Sequence, residues 1–394
     1  MPGDCVPRNS GNTMLKILVV GGGIGGLTTA IALQRKGFDA HVYESTAEVQ
    51  PVGKGIWLPT NAMLALERLG LSDAVVGSGV PLERIEIHDK KDGVLLRLNL
   101  HQVKVKYGHT TVSIHRAALH RLLLEHLQPG TFHLGKRCTG FIQANNGVTV
   151  QFQDGTQVEG DVLVGADGIH SVIQQALFPD VALRYSGQTC YRGIATMELP
   201  ASLARTCLEF WGGESRLGFS ALGSRQVYWF APVTAPAGRA EREGTLSEQL
   251  AECYAGFPAP IPAIIEHTLV DEVIRTDLYD LSPLKRWWKG RVILLGDAAH
   301  AMTPNLGQGG AQAIEDAFVL ADKLSSCRSI SEAFPEYERL RMPKVRRIVH
   351  TAWRYGQIAH TRSRWLQRLR NVGMKSIPDW VNQKRVEWLY ALNY

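Results

Sequence analysis

One stretch near the start of the chain constrains the fold more than any other. Residues 15–20, Leu-Lys-Ile-Leu-Val-Val, form a short apolar β-rich run. Gly21-Gly22-Gly23-Ile24-Gly25-Gly26 follows at once, then a helix-compatible stretch over 27–36, Gly37 as its stop, and a second β-rich run over 39–43 ending at Glu44. Strand, Gly-x-Gly-x-x-Gly, helix, strand and acid make up a complete dinucleotide-binding unit. Gly21 permits the tight turn, Gly23 lets a pyrophosphate approach the backbone, and Gly26 lets the helix pack closely on the strand. Ile24 and Gly25 lie at the helix start, whose N–H groups and positive dipole end suit phosphate. Glu44 is placed to accept hydrogen bonds from a ribose diol. The unit alone does not separate FAD from NAD, and a ligand-free Gly-rich turn is the plain alternative.

The chain has 394 residues, room for two or three domains of roughly 100–200 residues each. No run approaches the roughly 18 uninterrupted apolar residues that span a bilayer. The six cysteines, Cys5, Cys138, Cys190, Cys207, Cys253 and Cys327, include no Cys-x-x-Cys pair. Reduced thiols in a cytoplasmic protein are therefore expected, with no disulfide scaffold and no structural metal. Residues 1–13 are polar, lack a signal-peptide core, and are expected to be disordered, with Met14 as an alternative natural start.

Two further segments bear on the cofactor. Residues 161–171 are a buried-strand pattern running into Ala166-Asp167-Gly168. Residues 290–300 are another, ending in Gly296-Asp297, and they continue through Pro304-Asn305-Leu306-Gly307-Gln308-Gly309-Gly310 into a helix over 311–324. With the opening unit, in this order and spacing, the chain resembles the single-component FAD-dependent aromatic monooxygenases of the para-hydroxybenzoate hydroxylase-like superfamily, which includes tetracycline-inactivating oxygenases and flavin-dependent urate hydroxylases. The match runs from about residue 15 to 347.

The resemblance implies an α/β fold: a Rossmann-like FAD-binding domain with an inserted, mainly antiparallel β-sheet substrate domain and C-terminal helices. The expected division is a discontinuous FAD-binding domain over 14–82, 112–180 and 276–340, a substrate domain over 83–111 and 181–275, and a helical segment over 341–394. The family's pattern assigns cofactor contacts to Asp297, Arg116, Asp167 and Gly168, with Gly55 in a loop near the flavin ring. Pro304, Gly307, Gly309 and Gly310 deliver a helix N-terminus to that ring, where N–H groups stabilise negative charge on reduced flavin. Relatives commonly carry Arg where this chain has Gln174, which bears on the nicotinamide contact. Lys54 departs from the family's Gly-rich loop and is expected to point to solvent.

The implied reaction has NADPH or NADH reducing FAD, oxygen adding at C4a, and the hydroperoxide passing one oxygen to an aromatic, polycyclic or conjugated small molecule. Only one Gly-x-Gly-x-x-Gly unit is present, so the nicotinamide is expected to bind transiently. There is no Gly-x-Ser-x-Gly elbow either, so the difficult chemistry falls to the flavin. Three alternatives are a flavin halogenase, whose paired-Trp signature is absent, a reductase of isoprenoid-type double bonds, and a non-catalytic flavin-binding module. Over 208–231 three β-rich segments with Gly-rich turns suggest a pocket wall. There Tyr228 and Phe230 share one face and Trp229 takes the other. Arg192, Arg216 and Tyr228 are the substrate-contact candidates, with interdomain salt bridges the plain reading for both arginines.

The net charge of +6 and pI near 9.0 look at first like a nucleic-acid signal. Ten basic residues and no acid lie between 341 and 378, leaving 33 basic against 37 acidic residues elsewhere. The charge is one amphipathic C-terminal segment, so no nucleic-acid partner is expected. That segment is expected either to pack on the FAD domain or to touch an anionic lipid surface. The protein is expected to be a monomer or a homodimer.

Overall fold

The computed structural model describes residues 14–49, 53–91, 93–238, 245–392 and 394; the expected disordered stretch over 1–13 lies outside them. Strand Lys16–Val20 is central to a six-stranded sheet because it is apolar on both faces, as a strand covered on both sides must be. Its parallel neighbours are Val162–Gly165 and Asp39–Tyr43. Phe132–His133 lies beyond Asp39–Tyr43, Val292–Leu294 joins Val162–Gly165, and Trp288–Lys289 closes the far edge as an antiparallel strand. The helix Ile24–Arg35 is buried almost all round, because it lies between this sheet and the helix Gly309–Ser326.

A seven-stranded sheet is the second layer. Its order is Ile274–Leu281, Leu183–Ala195, Val227–Thr234, Arg216–Ala221, Thr206–Trp211, Arg84–Asp89 and Gly93–Asn99. All pairings are antiparallel except Thr206–Trp211 with Arg84–Asp89. Every residue of Thr206–Trp211 and Arg216–Ala221 is buried, so both faces are covered. Leu208, Phe210, Leu217, Phe219 and Trp229 form a core with the helices Leu246–Tyr254 and Ile261–Glu266. The opposite face, carrying Arg192, Tyr228 and Phe230, turns toward the small sheet Gly55–Leu58, Val112–His115 and Val80–Pro81.

At the C-terminal end, one helix, Ile330–Ala359, runs through the boundary expected between 340 and 341. Its inward residues Phe334, Tyr337, Val345 and Ile348 belong to the main core on both sides of that point, so packing is continuous there. Helices Arg364–Lys375 and Asp379–Tyr390 complete the fold. Among the described residues no helix is long and apolar enough to cross a membrane.

Candidate functional site

The opening turn is built by close approach. A Cβ on Gly26 would lie 1.9 Å from the Gly21 carbonyl oxygen, so the helix start can settle on the strand end only with glycine there. Gly23 faces open space, Gly25 packs toward Leu295, and Ile24 is the buried first residue of the helix. Glu44 braces the turn: its Oε2 accepts the Gly22 N–H at 2.7 Å and its Oε1 accepts the Thr46 N–H at 2.9 Å. Burial opposes its ionisation, but these backbone donors hold it below the usual carboxylate range. It is thus a fixed, charged acceptor at the strand end.

Asp167 accepts from Ser171 Oγ at 2.5 Å and from the Val172 N–H at 2.9 Å, holding the start of the helix Val172–Leu177, while Gly168 takes φ of 81° beside it. Gln174 turns away: it is buried, and its Nε2 donates to the Phe178 carbonyl.

Asp297 opens the short helix Asp297–His300, with Gly296 rather than Asp297 at the N-cap. Its residue is solvent-accessible although its carboxyl is deep enough for burial to raise its pKa against the pull of His300 and Arg116. Arg116 shows the same combination, its pKa lowered by burial and raised in part by Asp297. Groups that are deep and yet reachable by solvent line a cleft. Arg192 and Tyr228 also act on Arg116 electrostatically, so four residues far apart in sequence lie near one another, Arg116 and Asp297 exposed and Tyr228 buried.

Against this region lies the inner face of the seven-stranded sheet. Arg192 stands opposite Phe230 in the ladder, and its Nη1 donates to Thr276 Oγ1 at 2.8 Å. Burial pushes the Tyr228 phenol up to about 12, with Arg192 opposing, so Tyr228 is a neutral hydroxyl. Gly55 lies against the Tyr228 ring: a Cβ there would be 2.2 Å from Cγ. Lys54 is not directed to solvent as expected; its Nζ pairs with Glu272 at 3.1 Å because the loop brings it beside the 3-10 turn Val270–Glu272.

Arg216 is an internal bridge. Nε donates to His360 Nε2 at 2.9 Å, Nη1 to Glu209 at 2.9 Å, and Nη2 to Asn305 Oδ1. It therefore ties the sheet to the turn Pro304–Leu306, where Pro304 is exposed. Gly307 (φ 62°) ends this turn, and Gly309 and Gly310 open the long helix Gly309–Ser326.

Several residues of this region escape sequence reasoning. Trp57 Nε1 donates to Ser220 Oγ at 2.8 Å, and Ser220 also bonds Ser113. Trp57 stands edge-on to Phe230. Behind the loop, Arg341 donates to Asp316 at 2.8 Å, Glu315 at 2.6 Å and Gln312 Oε1 at 2.6 Å, all fully buried. Asp316 accepts the Gly296 N–H at 3.0 Å and faces His300 at 2.6 Å. Burial favours its neutral form, yet His300 and Arg341 hold it down at about 2. In the sequence this network shows only as the adjacent acids Glu315-Asp316 within the helix Gly309–Ser326, with nothing local to pair them with Arg341. A separate cavity of about 690 Å³, lined by Tyr191, Tyr254, Arg275 and Arg362 among others, holds none of the expected site residues.

A family profile described as "FAD binding domain" matches residues 14–352. The chain is 37% identical over 346 residues to the aurachin C monooxygenase/isomerase of Stigmatella aurantiaca, covering 88% of this chain and 90% of that one. It is 34% identical over 363 residues to an FAD-dependent urate hydroxylase of Klebsiella pneumoniae, covering 90% and 94%. The crystal structure of Klebsiella pneumoniae HpxO complexed with FAD and uric acid superposes with a TM-score of 0.88 at 31% identity, covering 96% of this chain and 97% of that one.

Proposed function

For a chain that belongs to the FAD-binding family of aromatic monooxygenases and hydroxylases, with FAD as its cofactor, we propose a reaction in which NADPH or NADH and O2 are consumed to hydroxylate or epoxidise an aromatic or conjugated small molecule. The carrying observation is that Arg116, Asp297, Arg192 and Tyr228, far apart in sequence, lie near one another where the loop at Gly53 and Gly55 meets Arg116 and the inner face of the seven-stranded sheet. FAD, once reduced, supplies the activation of O2 and the delivery of one oxygen atom, which no side chain can do.

The protein's own residues bind, orient and shield. The turn Gly21–Gly26 and the helix start behind it suit the pyrophosphate, and Glu44 suits the ribose. Asp297 suits a ribityl hydroxyl, and Arg116 lies beside it. Asp167 and Gly168 shape a turn that would lie beside the pyrophosphate, and Gly55 lets its loop approach Tyr228. Pro304, Gly307, Gly309 and Gly310 lead into the N-terminus of an 18-residue helix, whose dipole would stabilise negative charge on a reduced ring held there. On the substrate side, Tyr228 offers a neutral hydroxyl and Arg192 a fixed cation, so a ring bearing a carbonyl, oxyanion or carboxylate fits between them. Trp57 and Phe230 exclude water, which would otherwise divert the oxygen to hydrogen peroxide. Arg216 acts by holding Asn305 and the loop rather than by touching substrate.

We place this reaction in the cytoplasm, in keeping with free thiols at Cys138, Cys190, Cys207 and Cys327. The test is a panel of aromatic ligands scored by stimulated NADPH oxidation, followed by product mass under labelled oxygen. One labelled atom in the product is expected. Reductant consumption with an unlabelled, reduced product would replace this reading with a double-bond reductase. An FAD-loaded protein that oxidises no reductant with any ligand would reduce it to a binding module.

A further inference from the structure

The helix Arg364–Lys375 packs with its polar side inward. Gln367 Nε2 donates to the Thr361 carbonyl at 2.8 Å. The Arg370 guanidinium caps the preceding helix through the Ile358 and Ala359 carbonyls at 3.2 Å and lies over the Trp211 ring at 4.8 Å. Asn371 is buried, and its Nδ2 donates to Asp89 Oδ2 at 2.9 Å. The apolar side faces out: Trp365 is 68% exposed, Leu369 56% and Val372 63%, with Leu366 beside them at 47%. Trp365, Leu369 and Val372 are spaced i, i+4, i+7, so they form one stripe. Arg364 and Arg368, both exposed, stand four residues apart and run along its edge.

A helix of a water-soluble monomer is arranged the other way round, and a contiguous exposed apolar stripe marks a contact surface. We propose that this stripe docks the enzyme on an anionic lipid surface. Charge selects that occupant: Arg364 and Arg368 flank the stripe, and residues 341–378 contain no Asp or Glu. A second copy would set like charges against each other across a two-fold axis. The helix is also only about 18 Å long and roughly 10 Å across, so its face offers roughly 200 Å², far short of the roughly 800 Å² per partner of a stable interface. For lipid, neither objection applies: apolar side chains enter the acyl boundary, arginines meet the headgroups, and Trp365 suits the interface itself. The established internal roles of Gln367, Arg370 and Asn371 fix the helix so that this face, and no other, points outward.

The experiment is flotation of the FAD-loaded protein with vesicles of phosphatidylcholine alone and with phosphatidylglycerol added, at low and high salt. Binding to the anionic vesicles at low salt, weakened by salt, is expected. Leu369→Ser with Val372→Ser should abolish it, and Arg364→Gln and Arg368→Gln should each weaken it roughly fivefold. Flavin content and reductant oxidation should be unchanged in all of these variants, which keeps misfolding separate from loss of docking. No flotation at low salt overturns the proposal, as does equal binding to phosphatidylcholine alone or equal binding by the Leu369→Ser, Val372→Ser variant. A solution dimer that Leu369→Ser splits, without flotation, would assign the stripe to a second copy instead.

Discussion

Arg341→Met tests the reasoning about the buried network most directly. Arg341 is fully buried and donates to Asp316 Oδ1 at 2.8 Å, Glu315 Oε2 at 2.6 Å, and both oxygens of Gln312, at 2.6 Å (Oε1) and 3.3 Å (main-chain O). Met keeps most of the volume and removes the charge, leaving two fully buried carboxylates short of a cation. Glu315 retains Lys344 at 3.0 Å and Tyr394 at 2.7 Å; Asp316 retains His300 and the Gly296 N–H. Breaking a buried pair from one side costs about 3–5 kcal/mol, and these surviving partners place the loss toward the lower end. Urea unfolding followed by tryptophan fluorescence should show that loss. Glu315→Gln in the same background should restore part of it, because one of the uncompensated charges is then gone. The second readout is flavin affinity. Asp316 fixes the Gly296 N–H, one residue before Asp297, so FAD should dissociate more readily from Arg341→Met. A stability change below about 1 kcal/mol would refute the claim that this buried pairing stabilises the fold. Lowered stability with unchanged flavin affinity would refute the claim that the network holds the Asp297 turn.

Asp297→Ala should purify with little flavin, checked by absorbance; a yellow protein of normal flavin content would remove Asp297 from the site. Gly55→Val would drive a side chain into the Tyr228 ring. It should fold with a loss of about 1–3 kcal/mol and show a raised KM for the stimulating ligand. Unaltered turnover would mean that the loop and ring are not part of the substrate wall. Burial, with Arg216 alongside, pushes His360 down from 6.5 to about 3, so it accepts from Arg216 as the neutral ring. Below pH 6.5 the unfolded chain takes up a proton that the folded one refuses, so stability falls between pH 6.5 and 3, by about 2 kcal/mol at pH 5. Unfolding free energies against pH should therefore be steeper for the native protein than for His360→Gln, and parallel curves would contradict this.

The parts of the site legible in the sequence are those whose requirements are met within a few residues. Gly21, Gly23, Gly26 and Glu44 form a turn between one strand, one helix and the next strand, and the backbone geometry of that turn demands those residue types in that order. The strand ends at Asp167 and Asp297 announce themselves by buried apolar runs broken by Gly and Asp, and together these segments carry the family resemblance that implies the cofactor. What sequence alone left open was everything settled by partners distant along the chain. Alternation along 227–231 separates Tyr228 from Trp229 but does not say which side faces the Gly55–Leu58 strand; the helices Leu246–Tyr254 and Ile261–Glu266 decide that by covering Trp229. Arg216 and His360 are 144 residues apart and Arg192 and Thr276 are 84 apart, and no local pattern pairs them. The C-terminal basic run makes the same point. By composition its ten cations are alike, but tertiary packing sends Arg341 into the core against Glu315 and Asp316, stacks Arg370 on Trp211, and leaves Arg364 and Arg368 on the outside. Composition counts charges, whereas desolvation and the nearest opposite charge, which only the folded chain supplies, determine what each of them does.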